Sequence, residues 1–198
     1  TLTLQNNADF LGEGNDIPHL CQTSNFGIVT LPETSLGAGA GNASILNLAA
    51  GQTGITAGDN SQINNLVING GDTAVLADGT ASPTLSNLDI NNPAGDGVIL
   101  RNVIGTAVVE NTVTIDGAVG RALFVDGGVG GMALAATITN TSGRSFEVAN
   151  RTGGTVNYSG TISDIGGTGI RIADNTDTTV NLTSTATVDA NGNAIALS

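Results

Sequence analysis

Few side chains in this sequence are of kinds that do chemistry, and their spacing limits what that chemistry is. His19 and Cys21, two residues apart, would share one face of a strand and could hold zinc with a carboxylate such as Asp16. A zinc site normally takes four ligands, and the chain has one cysteine and one histidine. Cysteine–histidine catalysis needs an opposed pair and an orienting third group, and nothing in the sequence marks one. The acids at turns, Asp72, Asp78, Asp96, Asp116, Asp126, Asp174 and Asp177, are the better cation candidates. Calcium takes six to eight oxygens, but the glycine-rich calcium-binding nonapeptide of some β-helices is missing. Acidic turns are more often simply solvated. The expectation is therefore no cofactor, with Ca2+ at the acidic turns the one cation kept open. No nucleophile elbow, phosphate loop or zinc-helix motif occurs, and Gly37-Ala-Gly-Ala-Gly reads as loop. Paired carboxylates for glycoside hydrolysis could arise from acids in neighbouring repeats, such as Asp72 and Asp96, but no convergent site stands out. The chain is expected not to be an enzyme. That leaves the glycines of Gly166–Ile170, GGTGI, as the one stretch that looks like a ligand cradle.

The same pattern recurs along the chain, which removes its singularity. Gly71-DTAVL, Gly95-DGVIL, Gly120-RALFV, Gly143-RSFEV, Gly167-TGIRI and Gly192-NAIAL follow at intervals of 24, 25, 23, 24 and 25 residues. A second column, Ile68, Ile90, Ile115, Ile138, Ile162 and Val188, keeps step with it. Two interleaved columns with one period mean a solenoid. Alternation with period 2 within each repeat is the strand signature. Pairs such as Ala74/Leu76, Val98/Leu100, Leu123/Val125 and Phe146/Val148 should point inward. A repeat of two or three short strands joined by glycine and asparagine turns is a right-handed parallel β-helix, the hand taken from the usual chirality of β crossovers. Coils stacked at roughly 4.8 Å make six repeats a section of about 29 Å. Residues 1–41 fit the period poorly and are expected to be an irregular leading coil or cap, with the β-helix repeats over 42–198.

Stacking brings equivalent residues of successive coils into contact. Glu147 should pair with Arg171, and Asp96 with Arg121. Exposed pairs of this kind contribute about 0–1 kcal/mol, so they specify register more than they drive folding. Val75, Ile99 and Phe124 line up as an outward apolar stripe, which a loop or sister chain would cover or a partner would recognise. Thr114, Thr137, Thr161 and Thr187 form an outward threonine ladder, with Thr112 and Thr185 two residues earlier in two coils. Such ladders resemble the ice-binding faces of some β-solenoids, although threonine is also an ordinary solvent-facing strand residue.

Composition narrows the partners. There is no lysine, and Arg101, Arg121, Arg144, Arg151 and Arg171 stand against 17 acids for a net charge of −12. Phosphate backbones and anionic membrane surfaces would both repel such a chain. No apolar run approaches the ~20 residues that span a bilayer. The start, TLTLQNNADF, has no basic region followed by an apolar run, so any secretion signal is expected to have been removed or to belong to a longer chain. Five N-x-S/T sequons, at Asn42, Asn140, Asn150, Asn157 and Asn181, are expected in so Asn/Thr-rich a sequence and do not establish glycosylation.

The run GRSFEVANRTGGTVNYSGTISDIGGTGIRI, continued by NTDTTVNLTSTATVDANGNAIALS, resembles the β-helix repeats of large bacterial surface and secreted proteins. These include autotransporter-like passengers and giant adhesins. The earlier FLGEGNDIPHL and GIVTLP are similar to the leading segment before such repeats. The resemblance implies an extracellular or cell-surface rod. Its partners would be further coils, other copies of itself or cell-surface glycans. A carbohydrate-binding or polysaccharide-degrading β-helix is the competing expectation, and an ice-binding solenoid a distant one.

Overall fold

The computed structural model describes residues 1–12, 19–23, 27–31, 43–189 and 194–198. These residues build a parallel β-solenoid, and no helix occurs among them. Coils about 24 residues long stack so that each is hydrogen-bonded to the next. Three strands per coil give the rod three faces. The first face holds eight strands in one parallel sheet, from Leu2–Thr3 through Thr53–Ala57, Thr73–Asp78 and Asp96–Arg101 to Arg121–Asp126, Arg144–Ala149, Ile170–Ala173 and Ile195–Leu197. The second face stacks Thr106–Val109, Gly131–Leu134, Thr155–Tyr158 and Thr179–Leu182. The third stacks Thr114–Asp116, Thr137–Asn140, Thr161–Ile165 and Thr185–Asp189. In two earlier coils the second and third faces are one long strand each, Gln62–Gly70 and Thr84–Asn91. Those strands bend at Asn65 and Asn87, whose φ angles of 61° and 47° lie in the left-handed region that asparagine tolerates better than most residues.

Alternation puts the aliphatic columns inside. Val98, Leu123, Phe146 and Val148 are fully buried from the first face, and Ile90, Ile115, Ile138 and Ile162 from the third. Each such side chain contributes about 1.5–3 kcal/mol by leaving water, so the columns dominate stability. Phe146 and Tyr158 stack inside with ring centroids 4.7 Å apart.

The leading residues belong to the stack. Leu2 pairs in parallel with Ile55, and Phe10 with Ile63. Ser44–Leu48 pairs with the remainder of the same partner strand, Leu46 opposite Ile68. Residues 1–12 and 44–48 thus make one coil, and the chain between them is an insertion at the corner joining the second and third faces. Within it, His19–Thr23 and Gly27–Leu31 pair as antiparallel strands. The Gly37–Gly41 break and the Asn42 sequon lie outside the described residues, as do Asp16 and Gly192.

Two register expectations are corrected. Matching Gly71 to Gly95 places Val75 on the outside, but the structure pairs Asp96 with Thr73 and Val98 with Val75. That coil is one residue shorter than the glycine spacing suggests, and a slip of one flips every side chain. Val75 and Ala77 are therefore in the core, where Ala74 is buried too, and Leu76 takes the outward position beside Ile99. The second correction is at the far end, where Ile162 pairs with Ala186 and Val188 lies opposite Asp164. A shift of two preserves the face, so alternation could not separate Ala186 from Val188.

Candidate functional site

Four of the five arginines are on the first face, and each pairs with acids. Arg121 donates through Nε and Nη2 to the two oxygens of Asp96 at 2.9 and 2.6 Å, and its backbone N–H adds a third bond at 2.7 Å. Glu147 sits between two coils' arginines, taking Arg144 Nε at 3.0 Å and Arg171 Nη1 at 2.8 Å. Arg101 Nε reaches Asp126 at 3.2 Å. Hydrogen bonding to Asp96 raises the Arg121 pKa above its ordinary value, and hydrogen bonding to Glu147 does the same for Arg171.

The outward apolar stripe is Leu76, Ile99 and Phe124 instead of Val75, Ile99 and Phe124. Ile99 and Phe124 are only 6% and 5% exposed. The Arg121 guanidinium lies 3.8 Å over the Phe124 ring, a cation–π contact that shields one ring face. This face is a lattice of satisfied charges over a covered stripe.

The third face carries hydroxyls and amides. Its threonine ladder runs Thr114, Thr137, Thr161 and then Thr185, because Thr161 pairs with Thr185 and Thr187 lies opposite Ser163. The two-residue register shift that displaced Val188 displaced Thr187 with it. Thr114 donates to Asp89 at 2.6 Å. In earlier coils an asparagine ladder takes over: Asn69 donates to Asn47 at 2.9 Å and Asn91 to Asn69 at 3.2 Å.

The corner between the third and first faces holds the glycine column. A Cβ on Gly120 would lie 2.8 Å from the Gly95 carbonyl oxygen, and one on Gly167 would lie 2.6 Å from that of Gly143. Each glycine is required because the preceding coil's backbone passes where a side chain would start. The GGTGI loop also proves to be a cradle. The amides of Gly167 and Gly169 both donate to the Asp164 carboxylate at 2.9 Å, and Ser145 Oγ donates to it at 2.7 Å from the preceding coil. Asp164 is fully buried, so the anion held by this nest of amides is the protein's own.

Three other polar side chains are buried: Arg151 in the turn after Arg144–Ala149, and Asn140 and Tyr158 at inward positions of the alternation. Arg151 is fully buried and donates to the carbonyls of Gly127, Gly130 and Gly153, with no carboxylate partner among the described residues. Desolvation lowers its pKa. Tyr158 donates to the Ala136 carbonyl at 2.8 Å, and burial raises its phenol pKa above the ordinary range. Asn140 is fully buried, and neither polar atom of its side chain has a partner among the described residues. Its sequon is therefore inaccessible in the folded chain.

The corner between the second and third faces is different again. A recess of about 500 Å3 opens there, lined by Glu110, Asn111, Ala135, Thr137, Ser159, Gly160 and Thr161. It contains one carboxylate, whereas glycoside hydrolysis normally takes two. Among the described residues no three His, Cys, Asp or Glu side chains gather at one point. The backbones of His19 and Cys21 pair with Leu31 and Val29 on the antiparallel strands of the insertion. No family model, curated protein or solved structure matches the chain.

Proposed function

We propose that this chain is a non-catalytic section of an extracellular bacterial rod: a stalk, fibre or adhesin passenger. The observation that carries the reading is how polar side chains are used. Arg121, Glu147, Asn69, Asn91 and Asp164 each bond to the coil before or after them. Side chains that would converge on a substrate in an enzyme here tie one coil to the next. Inward-facing Ile195 and Leu197, 55% and 72% exposed, offer a surface that a further coil or a second copy would cover. Negative-stain imaging and small-angle scattering of the purified chain should give a rod, and antibody labelling should place the protein outside the bacterial cell. Release of reducing ends from a polysaccharide by a monomeric chain would overturn the reading.

One observation favours a second reading. In the observed register, Thr114, Thr137, Thr161 and Thr185 are flanked two residues on by Asp116, Thr139, Ser163 and Thr187. Seven hydroxyls in a two-column array on a regularly spaced sheet could order water as an ice surface does. Thermal hysteresis, lost on Thr161→Tyr, is the measurement that would establish it.

A further inference from the structure

We infer that the edge joining the second and third faces is a ligand-binding edge, and that its recess takes a neutral saccharide. Two features of the backbone create the recess. From Val109 to Ile115, both inward, the chain takes six steps; from Leu134 to Ile138 and from Tyr158 to Ile162 it takes four. The extra residues Asn111 and Thr112 stand out as a shelf over a floor of small residues. A Cβ on Gly160 would collide with the Ala136 carbonyl, so the floor cannot be filled without moving the coil beneath it. The insertion of the first coil leaves the stack at this same edge, and insertions in solenoids often mark the binding face.

The chemistry of the lining selects the ligand class. Glu110, Asn111, Thr137, Ser159 and Thr161 converge on the recess, and none of their side chains bonds to another described residue. This contrasts with the paired charges and amide ladders elsewhere on the surface. No cation lines the recess, and the surface arginines lie on the first face. Phosphate, sulfate and uronate groups would therefore meet one negative charge and no positive one. A carboxylate is an acceptor only, and can take both hydroxyls of a vicinal diol. The amide and the three hydroxyls both donate and accept, matching the remaining hydroxyls of a sugar. The volume is within the ~300–1,000 Å3 usual for small-molecule sites. With one carboxylate the recess binds and does not cleave. This inference is independent of whether the rod is extracellular.

The test is amide-shift mapping of the 15N-labelled chain with cellotriose, maltotriose, mannotriose, trigalacturonate and calcium chloride as separate probes. A neutral trisaccharide is expected to move the amides of Thr137 and Ser159–Thr161. Glu110→Gln should weaken its binding about tenfold, as expected for a lost hydrogen bond to a charged group. Ser159→Tyr should fill the recess and abolish binding with the melting temperature unchanged. The inference falls if no neutral probe moves these amides, if calcium or trigalacturonate moves them, or if saccharide binding survives Ser159→Tyr.

Discussion

Two corners of the same coil are built on opposite principles. Where the third face turns into the first, the spacing stays within one residue of eight steps: Ile90 to Val98, Ile115 to Leu123, Ile138 to Phe146 and Ile162 to Ile170 take eight, Ile68 to Val75 seven, and Leu46 to Ile55 and Ala186 to Ile195 nine. Backbone lies against backbone there, glycines fill the column, and Asp164 is held inside the turn. Where the second face turns into the third, the chain takes six steps in one coil, four in the next two, and detours through an insertion in the first. Close backbone packing occurs at both corners, at Gly160 as well as at Gly143, but the second also accepts the extra residues Asn111 and Thr112. The glycine-lined corner thus varies by single residues, whereas the other accepts extra residues and a whole insertion.

Breaking the glycine-lined corner should cost most. A Cβ on Gly143 would face three backbone carbonyls, those of Ala118, Val119 and Gly120, with Val119 O only 2.5 Å away. No flexible side chain is present to yield, so the coils must part. Gly143→Ala is expected to cost about 4 kcal/mol or more, the range reserved for strain and broken packing. Urea unfolding would measure it, and a loss under 1 kcal/mol would mean the corner is softer than its contacts imply. Asp164→Ala should come next. It strands two amides and the Ser145 hydroxyl without an acceptor in a fully buried site, at about 1–3 kcal/mol per orphaned donor before relaxation, and about 3 kcal/mol in all after relaxation by the same principle.

A smaller effect comes from the core between the two corners. The chain has no lysine and a single tyrosine, so among the described residues the phenol of Tyr158 is the side chain to watch in alkali. Burial raises the Tyr158 pKa. The folded state therefore resists ionisation, and the stability this protects is fully present below the unfolded-state value near ~10. Above that pH the unfolded chain gains by ionising, and stability should fall by about 1.4 kcal/mol per pH unit until the folded-state pKa is reached. Tyr158→Phe should flatten this alkaline limb; an unchanged slope would assign the titration to another group.

How much of this was legible in the sequence follows from what periodicity can and cannot encode. The fold was readable because two columns with one period and strict alternation specify stacked strands. The pairs Asp96–Arg121 and Glu147–Arg171 were readable because charges at equivalent positions must meet once coils stack. The errors came where a column was anchored on residue type. Val75 was assigned outward from a glycine one residue out of step, and Thr187 entered the ladder because Val188 looks more like isoleucine than Ala186 does. Asp164 was missed for a different reason. An inward acid breaks the apolar pattern, and only the folded chain brings together the three donors that make its burial tolerable. The recess was missed because it depends on corner length, which alternation does not report.

The smallest effect is expected at the variable corner. Inserting Asn-Thr after Ala135 would lengthen the Leu134–Ile138 turn to match that of Val109–Ile115, which the stack already accommodates one coil earlier. The added residues would extend into solvent, as exposed Asn111 and Thr112 do. Doubling a loop costs only about 0.6 kcal/mol in closure entropy, so the expected loss is below about 1 kcal/mol by the same reasoning. The same two residues inserted after Gly143 would push side chains into the carbonyls of Ala118, Val119 and Gly120 and should unfold the neighbouring coils. Hydrogen exchange would separate the cases. Protection of Ile138 and Ile162 should survive the first insertion, while that of Phe146 and Ile170 should collapse in the second. Equal damage from both would mean that all corners of the rod constrain its pitch alike, and that the length variation observed between the second and third faces is tolerated for some reason other than an open corner.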